Sequence, residues 1–492
     1  MKSNTRVLFL AAEADPFVKV GGLGDVAGSL PLALKDACEL DVRLVIPFHG
    51  AIQRKAFPFK RIASFEVPKP GKPIRAEAFQ VDLHGLPVYL IGGAPIPPKA
   101  PVYTSDPSVD GYKFTFFSLA ALELVRRLDW APDLVHANDW HTAMAIYALS
   151  LRRDQDEFFQ DTATLMGVHN LPYLGIGAGV ALNAFGLPPA YGSALPWWAQ
   201  DAPFALGLLA ADHIVAASPT YAAEILTTEF GAGLESFLKT RSETITGILN
   251  GINQEKWDPR NDNALTVRYS ADNLAARMEN KIALLQELDL NPDPKIPLLA
   301  MITRMDPQKG IDLVPKTLRK IARQRWNAIL LGTGVPEIED AVRKLETEFP
   351  ARLRAAIRFD AMLSRRIYAG ADVLMIPSRY EPCGLTQMIA MRYGCVPLGR
   401  ATGGLKDTIQ DSLPGQPGTG FLFERPHPVD FAKALRRALR TYPNREEWRT
   451  IQLNGMRQDF SWDRSARQYA DLYQSVINRR KGLARLPRKD EP

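Results

Sequence analysis

The chain has 492 residues, of which 46% are hydrophobic and 23% charged, the profile of an ordinary globular protein too long for one core. No apolar run approaches the roughly 20 residues that span a bilayer, and no apolar leader precedes the first strand-like run, so a cytoplasmic protein without a membrane partner is expected. The net charge of +6 and the three cysteines, Cys38, Cys383 and Cys395, come without a basic aromatic-interleaved run or metal-ligand spacing, which argues against nucleic-acid binding, a disulfide framework and a cysteine metal site.

In chain order, short β-rich runs alternate with helical patterns almost throughout. Strands are expected at Val7–Ala12, Asp41–Ile46, Val88–Ile91, Leu134–Ala137, Thr164–Val168 and His213–Ala217. A second series follows at Pro297–Thr303, Asn327–Leu331, Ile357–Phe359, Val373–Pro377, Val396–Gly399 and Gly420–Phe423. Helical patterns fall at Ala27–Leu40, Gly111–Leu128, Ile311–Gln324, Glu337–Glu348 and Thr386–Tyr393. This rhythm predicts an α/β protein with parallel sheets covered on both faces. So many strands fit two doubly wound, Rossmann-like domains facing one another better than one sheet. A polar, proline-containing stretch at Trp257–Asn263 marks the boundary. The expected division is residues 1–257, residues 258–478 and a basic tail, 479–492. Ser461 is the expected N-cap of a final helix that can pack back on the first domain, with Ala466, Tyr469, Tyr473 and Val476 on one face.

The first chemical signal is Lys19-Val20-Gly21-Gly22-Leu23-Gly24-Asp25. Strand, glycine loop and helix in that order offer backbone N–H groups to an anion; Lys19 adds a positive charge and Asp25 an acceptor for hydroxyls. Gly22 to Ala27 also matches the dinucleotide fingerprint G-x-G-x-x-A, but that motif turns directly after its strand. Here Glu13 to Gly21 intervenes, including Pro16, which argues against an oxidoreductase.

Next comes His136-Ala137-Asn138-Asp139-Trp140-His141 at a strand end. It admits a metal site, plain packing and capping, or a polar cleft edge where Asp139 binds hydroxyls and Trp140 stacks on a sugar; the last is preferred, because open α/β sheets bind ligands at strand ends. His169-Asn170 and Asn250-Gly251 each follow a further strand, though Asn-Gly is also a common turn pair. In the second half, Arg304 and Lys309 can both reach an anion outside the sheet. Glu381-Pro382-Cys383-Gly384-Leu385-Thr386-Gln387 opens a helix whose free N–H groups suit a phosphate, with Glu381 placed for the hydroxyls of an attached sugar. Thr402-Gly403-Gly404-Leu405 adds one more glycine loop.

Taken in order, the Lys19–Asp25 loop, His169-Asn170, Leu249-Asn250-Gly251, Arg304…Gln308-Lys309-Gly310, Glu381–Gln387 and Thr402–Leu405 resemble the bacterial glycogen synthase and plant starch synthase family, from Val7 to about Tyr473. The resemblance implies the two-domain GT-B glycosyltransferase architecture with an interdomain active site. It implies glucose transfer from ADP-glucose to the nonreducing end of glycogen or another α-1,4-glucan, with retention. It further implies that Lys19 and the amides of Gly21 and Gly22 form the donor-binding loop, with Asp25 and Asn250 as cleft groups. Arg304 and Lys309 would neutralise the diphosphate with the amides of Cys383, Gly384, Leu385 and Thr386; Glu381 would grip the glucosyl hydroxyls, His169 would sit beside the reacting carbon, and Asp139 would contact acceptor or sugar.

Two positions depart from the family pattern. Val20 stands where the glycine loop usually has threonine, and Ile389 where related retaining transferases place a second glutamate. With no Asp/His metal constellation and no placed nucleophile, no cofactor or metal is expected. Acceptor attack is expected on the face the leaving group departs from, with domain closure over the donor. The alternatives are a glucosyltransferase using UDP-glucose or a small acceptor, and a noncatalytic glucan-binding scaffold. Oligomeric state is not encoded in these motifs.

Overall fold

A computed structural model describes residues 5–484, so the end of the basic tail, 485–492, lies outside the described residues. The described strands are β1 (Arg6–Leu10), β2 (Asp41–Pro47), β3 (Lys60–Val67), β4 (Ile74–Leu83), β5 (Leu86–Gly93), β6 (Leu134–Asn138), β7 (Ala163–Val168), β8 (His213–Ala216), β9 (Ile245–Gly247), β10 (Leu298–Ile302), β11 (Asn327–Gly332), β12 (Leu353–Ile357), β13 (Val373–Ile376), β14 (Val396–Arg400) and β15 (Phe421–Phe423). The chain forms two compact units. One holds residues 5–251 and 462–484, the other Ile252–Ser461. Trp257, where the sequence suggests a boundary, lies inside the second unit with the Arg365 guanidinium 4.4 Å from its ring centre.

The sheet of the first unit runs β3-β4-β5-β2-β1-β6-β7-β8-β9. Every pairing from β5 onward is parallel, as the apolar runs predict. The other edge differs: β3 and β4 pair antiparallel with each other, and β4 with β5. These two strands escape sequence reading because they carry charge on a half-exposed face rather than a continuous apolar run. One side of the sheet packs against the helix Pro107–Arg127 and its neighbours around Phe114, Phe117 and Leu124. The other packs against the helix Gly22–Cys38 and the closing helix Trp462–Ala484, whose Ala466, Tyr469, Tyr473 and Val476 share a core with Val7, Phe9 and Leu30. The Tyr473 hydroxyl meets His136 Nδ1 at 2.8 Å, so the last helix is tied to a central strand.

The sheet of the second unit runs β12-β11-β10-β13-β14-β15, all parallel. This is the 3-2-1-4-5-6 order of a Rossmann sheet, whose direction of winding reverses between the first and fourth strands, here β10 and β13. The expected strand at Ile357–Phe359 is displaced: β12 ends at Ile357, and Phe359 lies in an exposed loop before the helix Ala361–Gly370. A buried charge centre pins this unit. Lys281, 1% exposed at its side chain, lies 2.7 Å from Asp372, 5% exposed. The Lys281 ammonium also donates to Ile296 O and Tyr442 Oη at 2.7 Å each, while Asp372 accepts from Leu298 N–H at 2.8 Å. Removing one partner strands the other in the interior. Asp372→Ala is therefore expected to destabilise the protein by about 3–5 kcal/mol in chemical denaturation, against well under 1 kcal/mol for truncating the exposed Asp340 of the Arg343 pair.

Candidate functional site

Most of the residues selected from sequence lie, within each unit, just past strands at or next to the point where the winding of its sheet reverses, while Asn250 follows β9 at the sheet edge. In the first unit β1 lies beside β6 and β6 beside β7. The glycine loop leaves β1, Asp139 follows β6 and His169 follows β7. The expected helix Ala27–Leu40 begins earlier, at Gly22, with Gly21 as N-cap and Asp25 in its first turn. Gly22 and Leu23 thus contribute amides with no partner inside the helix. The Gly21 amide, expected with that of Gly22 to face a ligand, is taken instead, together with the Val20 amide, by the Glu13 carboxylate, which Gly21 N–H approaches at 3.1 and 3.2 Å. Glu13 is only 2% exposed, and burial pushes its carboxyl above the usual range while these amides oppose the shift. Lys19 and Asp25, read as separate ligand groups, form an ion pair with each other at 2.7 Å.

At the ends of β6 and β7, Asp139 adopts φ 54°, a left-handed conformation that an aspartate tolerates. Its Oδ1 accepts from the amides of His169 at 2.8 Å and Asn170 at 3.3 Å. Asn138 donates through Nδ2 to Leu10 O at 2.9 Å, which turns its Oδ1 toward His169 Nε2, 2.8 Å away. The proton of a neutral imidazole then sits on Nε2, leaving Nδ1 as an acceptor. Burial holds His169 below the ordinary histidine range, against the opposing pull of Asp139. Asn138 was not selected from sequence; its place beside Asp139 at a strand end was the available signal. Asn250, after β9, is buried and its Oδ1 has no hydrogen-bond partner.

The sugar-stacking role for Trp140 does not hold. Its ring is 9% exposed and packs edge-on against Phe114, centroids 5.5 Å apart, and beside His141 at 4.4 Å. His136 and His141 serve separate surroundings, Tyr473 in one case and the Tyr103–Phe114 aromatic cluster in the other. Among the described residues no group of three or more His, Cys, Asp or Glu is arranged to hold a metal ion.

In the second unit the Arg304–Lys309 segment follows β10 and Glu381 follows β13, the two strands at the winding reversal. The segments are stitched together: Arg379 N–H donates to Gln308 O at 2.8 Å, and the Arg379 guanidinium grips Asp312 at 2.7 and 2.8 Å. Gly310 permits this approach. It has φ 66°, and a Cβ there would lie 2.0 Å from Pro377 O. Asp306 caps the turn, accepting from Lys309 N–H at 3.1 Å. Lys309 Nζ then reaches both Glu381 oxygens at 2.8 Å, and Ser378 Oγ donates to one of them at 2.8 Å. Glu381 is 8% exposed. Arg304, expected to act with Lys309, is instead 61% exposed at its side chain and lies 3.4 Å from Asp306. Ser378 was missed although it stands three residues before Glu381.

Cys383, Gly384 and Leu385 turn from this carboxylate into the helix Thr386–Arg392, whose N-cap is Leu385. Gln387 Nε2 holds the turn through Cys383 O at 3.0 Å and Gly384 O at 2.9 Å. The Gly404 amide donates to Glu381 O at 3.0 Å, and a Cβ at Gly404 would fall 1.9 Å from Cys383 O. Close packing accounts for that glycine without a ligand.

Residues 6–240 match the family model described as starch synthase catalytic domain, and residues 286–452 that described as glycosyl transferases group 1. A glycogen synthase from Anaeromyxobacter sp. is 40% identical over 478 residues, covering 96% of this chain and 99% of the relative. One from Thermotoga maritima is 39% identical over 484 residues, with coverage of 96% and 99%. Among solved structures, the catalytic domain of starch synthase IV from Arabidopsis thaliana, bound to ADP and acarbose, is 33% identical with a TM-score of 0.87, covering 97% of this chain and 100% of that one. Sucrose-phosphate synthase from Thermosynechococcus elongatus, 19% identical at a TM-score of 0.61 and covering 96% and 100%, shares the fold.

The buried histidines near β1, β6 and β8 generate a pH prediction. Burial lowers His141 to about 3, and His49 and His213 to about 4, from 6.5. Between pH 6.5 and 4 the unfolded chain therefore binds protons that the folded one refuses. Stability is complete above pH 6.5 and falls as pH drops, by about 1.4 kcal/mol per unit for each histidine. Below about 4 the contributions of His49 and His213 stop growing. Urea midpoints measured from pH 7 to 4.5 are expected to decline, with a shallower slope in His141→Gln.

Proposed function

Because the chain belongs to the glycogen synthase family of retaining glycosyltransferases, we propose that it transfers glucose from ADP-glucose to the nonreducing end of an α-1,4-glucan. The observation that carries this reading is the Lys309–Glu381–Ser378 cluster at the winding reversal of the second sheet. The nucleotide side of the reading is supported by the starch synthase IV domain, bound to ADP and acarbose.

When a nucleoside diphosphate leaves, negative charge grows on its phosphates, and fixed cations there lower the barrier. Lys309 meets this need with a guided ammonium, while the exposed Arg304 swings as a bidentate fork to the same anion. Each such group contributes about 3–4 kcal/mol, or 10²–10³ in rate. Within the first unit, Lys19 and the Gly22 amide are the groups suited to an anion, and Asp25 and Asn250 are its further polar groups. The amides from Cys383 to Thr386 add donors beside Glu381. In this reading Glu381 holds glucosyl hydroxyls. Its two oxygens, already engaged by Lys309 and Ser378, make it a poor nucleophile, which favours acceptor attack on the leaving-group face over a glycosyl-enzyme. His169 presents its acceptor nitrogen beside the sugar, and Asp139 fixes the backbone that carries it. Three free thiols, Cys38, Cys383 and Cys395, suit a cytoplasmic enzyme.

Radiolabelled glucose incorporation into glycogen tests the reading. Incorporation from ADP-glucose is expected, with Glu381→Ala and Lys309→Ala each lowering kcat by roughly 10²–10³. Preference for UDP-glucose would overturn the donor, and absence of transfer with glycogen still bound would make the protein a scaffold. With charge supplied by Arg304 and Lys309, activity is expected to survive chelation of divalent cations. Loss on chelation, restored by a divalent ion, would return that task to a metal.

A further inference from the structure

Glu13 has no role in the chemistry above, yet it is the most heavily engaged carboxylate of the first unit's loop. It follows β1, is almost fully buried, and accepts from the amides of Val20 and Gly21. The Tyr103 side chain and the Gly24 amide draw its carboxyl down against the effect of burial. Tyr103 is fixed from both flanks. The carbonyl of Val102 accepts Lys113 Nζ at 2.8 Å, the amide of Thr104 donates to Asp110 at 2.8 Å, and Lys113 and Asp110 form a buried pair 2.6 Å apart. On the other side of the loop, Asp15 N–H donates to Gly24 O at 2.9 Å.

Amide N–H donors converging on one point require an acceptor-only group, and an ionised carboxylate is the side chain that supplies only lone pairs. A glutamine would turn an NH₂ toward some of those donors. The loop between β1 and the helix Gly22–Cys38 is thus closed on a carboxylate built into the protein, which already fills the cradle a phosphate would otherwise occupy. The group left outward is the Lys19 ammonium, held by Asp25 at 2.7 Å.

We propose that Glu13 is a positioning residue: by holding the Val20 and Gly21 amides it shapes loop 14–21 so that Lys19 and the Gly22 amide face the diphosphate of the sugar donor. This rests on the donor reading given above. The donor contact in the first unit is then made by Lys19 and the helix N-terminus, and not by the Val20 and Gly21 amides.

The test uses the full chain carrying Glu13→Gln, Glu13→Ala and Lys19→Ala, with Glu13→Gln also combined with Lys19→Ala. Glu13→Gln is expected to raise KM for ADP-glucose by about tenfold or more with a smaller change in kcat. In the Lys19→Ala background it is expected to add little, because both changes act on one contact. Amide hydrogen exchange over residues 14–24 of the ligand-free protein is expected to quicken at least about tenfold in both Glu13 variants. An unchanged donor KM, or effects of Glu13→Gln and Lys19→Ala that multiply independently, would overturn the proposal. Unchanged exchange over the loop would overturn it as well. If the unaltered protein transfers no glucose from ADP-glucose, the donor reading fails on its own, and the exchange result decides whether Glu13 holds the loop.

Discussion

Backbone amides that leave a parallel strand at its carboxyl end lose their ladder partners, and a buried amide must find another acceptor. This chain answers repeatedly with carboxylates. Past β1 Glu13 takes the Val20 and Gly21 amides, and past β7 Asp139 takes those of His169 and Asn170. Charge-assisted hydrogen bonds of this kind are roughly twice as strong as neutral ones. They fix loops that carry no regular structure, and the loops at the winding reversals are the ones that hold the candidate site.

The same device separates residues that build the site from residues left to act in it. Asp139 and Glu13 are committed to backbone, and Asp306 caps the turn that carries Lys309. Lys309 and Glu381 are committed to each other, which gives a buried carboxylate its counterion from within the same unit. Lys19 with Asp25 and Arg304 with Asp306 are looser, at partly or largely exposed side chains. Exposed pairs of this type are worth little in free energy, so an arriving anion can draw the cations away at small cost.

Much of this was legible in the residue order. Apolar runs such as Val7–Leu10 and Leu134–Ala137 are buried on both faces and identify parallel strands directly, and the residues just past their ends include most of the candidate site. Lys60–Val67 and Ile74–Leu83 were not legible, because a half-exposed antiparallel edge carries charges that break the apolar signal. The helix at Gly22 starts ahead of its apolar stripe: glycines weaken local propensity, and tertiary packing overrides it. Trp140 shows the limit of reading chemistry from residue type. An indole after a strand suits a sugar equally well as it suits a core, and only packing against Phe114 and His141 distinguishes them. Partner choice was equally hidden, since neither the Glu13 loop clamp nor the Lys309–Glu381 pair follows from spacing alone.

The first unit is assembled from the two ends of the chain, with Trp462–Ala484 covering β1 and the helix Gly22–Cys38. Synthesis runs from the N-terminus, so Val7, Phe9, Val26 and Leu30 are made long before Tyr469 and Tyr473 exist to cover them. The second unit, by contrast, is continuous and is completed first as a closed fold. A domain whose last element arrives some two hundred residues late keeps an apolar face open throughout translation, the situation in which nascent chains associate or engage chaperones. The unit that appears first in the gene is thus the one that finishes folding last.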